Sequence, residues 1–181
     1  MASQLPVFKT RLLRPATPVR ASWSFLLVPT EVSARLPARG LVSVDGTLNG
    51  QAFQATLEPD GQGSHWLKVP RSLREAADAA VGDTVTLRIA PVEEEPEPRV
   101  PADLRKALAG NPHLREPWKS LTPVARRDWI FWITSAKKPE TRARRIATTC
   151  DMLASGKRRV CCFDRSGVYG KGLSAPEAAG G

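Results

Sequence analysis

Seven cations crowd into the stretch from Arg126 to Arg145: Arg126, Arg127, Lys137, Lys138, Arg142, Arg144 and Arg145. Guanidinium and ammonium groups at this density suit the binding of phosphates or carboxylates through charge-assisted hydrogen bonds. Lys137 and Lys138 stand between two apolar-periodic stretches, where a turn is expected, and Arg142 and Arg145 fall one helical turn apart on the second. Several of these groups can therefore converge on one open face, partly neutralised by Asp128 and Glu140. A solvated basic face is the plain alternative.

Other chemistry is thinly provided. His65 and His113 are the only histidines. His65 opens an apolar run behind a glycine turn, which suits a ring bonded to a loop carbonyl or a titrating group in a pocket. Cys150, Cys161 and Cys162 show no CxxC spacing, and a zinc site needs three or four convergent ligands. Neither a disulfide framework nor a metal site is expected. Lys157-Arg158-Arg159 could lower the thiol pKa of Cys161 or Cys162, yet no resolving motif accompanies them. Gly61 and Gly63 lack the GK[ST] continuation of a phosphate loop, no G-x-S-x-G occurs, and no carboxylate pair has persuasive acid–base spacing. No catalytic residue and no cofactor follows. Trp118, Trp129 and Trp132 could stack on bases, but helical spacing among apolar neighbours predicts core.

The elements that must position these groups divide the chain in two. Residues 1–91 have a net charge of +3, residues 92–98 one of −4, and residues 99–181 one of +10, within a total of +9. In the first part Phe8–Leu13, Trp23–Val28, Gly40–Val44, Thr47–Leu57, His65–Val69 and Thr84–Ala90 read as strands, with a short helical turn over Glu31–Leu36. Asp45-Gly46 is the expected hairpin turn, and Asn49-Gly50 a further turn or bulge. Pro70 suits the first position of a helix over Arg71–Ala80. Short strands without crossover helices between them predict a small barrel rather than a parallel sheet.

The run Pro91–Pro98, PVEEEPEP, is expected to be a solvated spacer, with an acidic arm folded back on the basic half as the alternative. Helices then follow over Ala102–Ala109 and Pro112–Leu121. Thr122-Pro123 should open another, reaching about Ala136, and Pro139 a last one that stops at Gly156. Ala143, Ile146, Cys150 and Leu153 form its apolar stripe. No run approaches the roughly 18 apolar residues of a membrane helix and no secretory signal is visible, so a cytoplasmic protein without membrane insertion is expected.

Several short signatures stand in order: Pro101-Ala-Asp-Leu-Arg-Lys-Ala-Leu, Trp118-x-x-Leu121, Ala125-Arg-Arg, Trp129-Ile130, Ala136-Lys-Lys, Glu140-Thr-Arg and Arg145-Ile146. Together they resemble the YdeI/OmpD-associated, or bacteriocin-protection, family. Val44-Asp-Gly-Thr-Leu-Asn-Gly, Gly63-Ser-His65 and Val81-Gly-Asp83 resemble the domain of unknown function that often precedes that module. The resemblance implies an α+β chain: a double-split β-barrel of AbrB-like shape with one inserted helix, then a helical module. The expected divisions are a barrel over 7–91, a linker over 92–100, a basic helical module over 101–159 and a disordered tail over 160–181. The family implies a role in stress or bacteriocin tolerance and supplies no catalytic residues. Three functions follow as expectations: a non-enzymatic protein whose basic face meets an acidic partner, a nucleic-acid-binding regulator, or a small-ligand protein or enzyme with a pocket between barrel and helices, marked by His65.

Overall fold

A computed structural model describes residues 5–160 and 173–180. The described chain forms two compact units, 5–93 with 173–180, and 94–160.

Strands β1 (Phe8–Arg11), β2 (Ser24–Leu27), β3 (Val42–Leu48), β4 (Gln51–Pro59), β5 (His65–Val69) and β6 (Thr84–Pro91) make the first unit, in the order β1-β6-β3-β4-β5-β2 and antiparallel throughout. The two outer strands meet where Leu13 and Phe25 exchange backbone hydrogen bonds of 2.8 and 2.9 Å. The result is the expected barrel, six-stranded and nearly closed. Alternation decides its filling: Val42, Val44 and Leu48 from β3, Leu67 and Val69 from β5, and Val85, Leu87 and Ile89 from β6 all turn inward. Two short helices, α1 (Thr30–Ser33) and α2 (Arg71–Ala76), join the strands. The second stops earlier than its alanines predict, and Asp78 just beyond it takes a positive φ of 52°.

The hairpin turn is displaced from its expected place. β3 runs straight through Asp45-Gly46, and the chain reverses at Asn49-Gly50, whose φ values of 49° and 84° suit a two-residue turn. Asn49 is fixed by its backbone N–H to the Thr86 carbonyl (2.8 Å) and by its Oδ1, which accepts from the Thr86 N–H (2.9 Å). Gly46 serves close packing instead. A Cβ there would collide with the Arg88 carbonyl oxygen and lie 3.0 Å from the Phe53 ring.

The tail also departs from expectation. Over 173–180 it lies against the first unit, with Ala16 N–H donating to the Glu177 carbonyl (2.7 Å) and Ala179 N–H to that of Arg14 (2.8 Å). Leu173 is buried, and Gly61 admits its carbonyl at a distance that a side chain would obstruct. Backbone pairing and one apolar anchor thus order a segment whose composition reads as loose. Cys161 and Cys162 lie outside the described residues.

Helices α3 (Ala102–Ala109), α4 (Arg115–Lys119), α5 (Pro123–Thr134) and α6 (Pro139–Ala154) make the second unit, with a 3-10 turn at Pro112–Leu114. The Thr122 hydroxyl accepts from the Ala125 N–H, and Pro123 and Pro139 sit in the first turns of α5 and α6, as their spacing predicts. Gly156, at φ 84°, follows the end of α6. Leu104, Leu114, Trp129, Ile133 and Leu153 form the centre of the core. Ala143, expected in the α6 stripe, is exposed, whereas Thr149 is buried there with its hydroxyl donating back to the Arg145 carbonyl at 2.8 Å. No helix among the described residues is long and apolar enough to cross a membrane.

The two glycines of the β3–β4 hairpin separate two effects. Gly46→Ala should destabilise by about 2–3 kcal/mol through overpacking, and Gly50→Ala, in open space, by about 1 kcal/mol through its backbone conformation. Urea denaturation of both variants checks the order; equal losses contradict it.

Candidate functional site

The seven predicted cations do not form one open face. Arg126 grips the Glu97 carboxylate through Nε and Nη2 at 2.7 and 2.6 Å. Its Nη1 meanwhile donates to the carbonyls of Trp118, Lys119 and Leu121, at and just past the end of α4. Arg127 bonds Glu95 at 3.0 Å and the buried Asp128 at 3.1 Å. Arg142 forks onto Asp103, in the first turn of α3, at 2.6 and 3.0 Å. That pairing holds the Asp103 carboxyl below its usual range, the Arg142 hydrogen bond being the main cause. Arg145 donates to the Trp132 carbonyl at 2.6 Å and to Ser135 Oγ at 3.2 Å, with its guanidinium 5.4 Å from the Trp132 ring centroid. Four of the seven are thus occupied within their own unit. Lys137, Lys138 and Arg144 remain exposed.

The linker carboxylates explain part of this outcome. Glu95 and Glu97 belong to the second unit and fold back on α5, so the solvated-spacer expectation fails here in favour of the acidic arm. Residues 94–160 nevertheless carry fifteen Lys/Arg against eight Asp/Glu. The surplus stands on other residues: Arg99, Arg105, Lys106, Arg115, Lys157 and Arg159 are exposed and have no ion-pair partner among the described residues. An open groove of about 480 Å³, with Lys157 and Arg158 opposite Glu116 and Ser120, lies within this unit.

Among the described residues, His65 lines none of the open grooves. It is fully buried, with Nε2 2.8 Å from the Gly40 carbonyl and Nδ1 2.6 Å from Ser33 Oγ. A carbonyl only accepts, so Nε2 carries the proton and Nδ1 accepts from the serine. Burial keeps the ring neutral by lowering its pKa, and His65 ties α1 and the Gly40 loop to β5. Trp118 and Trp129 are buried as core, with Trp132 packed beside them. The Cys150 thiol is pushed up by burial, then by Asp151, which disfavours the reactive thiolate. No metal-binding cluster of His, Cys, Asp or Glu occurs among the described residues.

One group of residues escaped the sequence reading. On the outward side of β2, β4 and β5, Trp66 packs edge-on to Phe25 (6.1 Å) and beside Trp23 (6.4 Å), while Lys68 Nζ lies 4.6 Å from the Trp23 ring centroid. Glu58 stands opposite Trp66 in the β4–β5 register. Burial pushes its carboxyl up to about 7, against the opposing pull of Lys68. The signal was available in WSFLLV, a continuous apolar run where a strand with one wet face should alternate.

Residues 97–156 match the family described as Bacteriocin-protection, YdeI or OmpD-Associated, and residues 8–89 match Domain of unknown function (DUF1905). Both parts of the resemblance are borne out. No curated protein matches the chain.

Two measurements follow. Arg126→Ala should cost about 1–3 kcal/mol, because it strands helix carbonyls and a carboxylate; Arg144→Ala should stay within about 0.5 kcal/mol. Equal effects in thermal melts would contradict the distinction. Glu58, raised from 4.5 to about 7, keeps in the fold a proton that the unfolded chain releases, so its contribution to stability falls as pH rises across that interval. His65, shifted down from 6.5, acts oppositely and loses stability as pH falls below that value. Melts from pH 5 to 8 should therefore show Glu58→Gln gaining on the parent by up to roughly 3 kcal/mol. A constant gap would refute the Glu58 shift.

Proposed function

Taking as premise that the chain joins a DUF1905 domain to a YdeI/OmpD-associated module, we propose that it is a non-enzymatic binding protein whose helical unit meets an acidic protein partner. The observation that carries this reading is the cationic surplus that survives internal pairing. Arg126, Arg127 and Arg142 are engaged by carboxylates, yet exposed Arg105, Lys106, Lys137, Lys138 and Arg144 keep the surface positive. Such a field steers an acidic partner by long-range attraction and meets it through ion pairs at the rim. Bacteriocin protection, the role in the family's description, supplies the setting in which a binding protein would act. His65 is the weakest support for an enzyme or small-ligand protein, since both its ring nitrogens are already bonded.

Binding of labelled polyglutamate and of duplex DNA, each at several salt concentrations, tests the reading. Polyglutamate should bind the more tightly at matched salt and weaken as salt rises. The combined change Lys137→Ala, Lys138→Ala and Arg144→Ala should reduce its affinity by about fivefold or more. Tighter binding of DNA, with the steep salt dependence of counterion release, would overturn it in favour of a nucleic-acid regulator.

A further inference from the structure

We infer that Arg126 and Arg127 form a docking site for an extended acidic segment with two glutamates two residues apart, and that the chain's own Glu95-Pro96-Glu97-Pro98 is its resident occupant. This rests on the helical unit being an acidic-partner binder, and it names both the partner's local chemistry and the contact that holds the site closed.

The site is built before any partner arrives. Three carbonyls at the end of α4 hold Arg126 Nη1, which leaves the Nε–Nη2 edge aimed at one carboxylate in the two-point geometry that guanidinium groups favour. Arg127, the next residue on α5, receives the second carboxylate while Asp128 holds its other side. With the arm docked the Arg126 and Arg127 side chains are only 13% and 15% exposed, and the contacts that do not involve the arm, the three carbonyls on Arg126 and Asp128 on Arg127, hold each of them in place. Little is then lost on binding, which is the advantage of a preformed site.

The occupant has the form of a ligand. Glu95 and Glu97 each precede a proline, which biases both toward extended backbone and puts alternate side chains on one side. Residues 94–100 hold neither helix nor strand. Glu95 sits deep, with its side chain 12% exposed, while Glu97 is at the rim, 58% exposed. A rim ion pair in contact with water is a weak hold. The tether compensates by keeping the arm at an effective concentration of about millimolar. A partner must therefore offer both carboxylates and further contacts with the exposed cations to displace it.

The full chain and a fluorescein-labelled peptide Pro-Val-Glu-Glu-Glu-Pro-Glu-Pro, read by fluorescence anisotropy, decide the matter. The parent should bind weakly, and Glu95→Gln with Glu97→Gln should bind at least tenfold more tightly. A peptide carrying Gln at the two matching positions should lose that gain. If the double variant melts early, Glu97→Gln alone, at the exposed rim, should still improve binding severalfold. No gain in either folded variant, or an equal gain for the Gln peptide, overturns the inference. Polyglutamate binding to the parent separates the two claims: if it persists while the gain is absent, only the docking site falls; if it too is absent, the binding function falls with it.

Discussion

The second unit depends on guanidinium groups that close the open ends of short helices. An isolated helix of five or eight residues does not persist in water, since too few hydrogen bonds offset the fixing of its backbone. α4 has five residues and α3 eight. Arg126 takes up the carbonyls at the end of α4, Arg145 one at the end of α5, and Arg142 joins α6 to the first turn of α3 through Asp103. Each cation lies where the helix dipole or an acid favours it. The apolar core beneath, centred on Trp129 and Ile133, provides the burial, and these forks fix which helix meets which.

That arrangement explains why the basic residues were legible as a cluster yet misread as a surface. Charge density is a property of the sequence; the identity of a partner is a property of the fold. Arg126 and Glu97 are separated by twenty-nine positions, and Arg142 and Asp103 by thirty-nine, so no local pattern connects them. The one local clue was the alternation of Glu with Pro over 95–98, which fixes the arm as extended without disclosing where it lands.

Local signals did well where they were chemically specific. Thr122-Pro123, Pro139 and Gly156 marked helix ends because each supplies or removes a particular hydrogen bond or dihedral. The β3–β4 turn shows the limit. Asp45-Gly46 and Asn49-Gly50 both suit a tight reversal, and only packing against Arg88 and Phe53 assigns Gly46 to the strand. His65 was correctly placed at a strand start, but its two partners, Ser33 and Gly40, come from other parts of the chain. The aromatic group around Trp66 likewise depends on the β2–β5 pairing.

The segment 173–180 gives the fold a consequence in its connectivity. Because its backbone bonds to Arg14, Ala16 and Asp60, the helical unit is flanked in sequence on both sides by parts of the barrel unit. A single peptide-bond cut within the acidic arm would leave the fragments joined through that returning segment, until its own bonds to Arg14, Ala16 and Asp60 gave way.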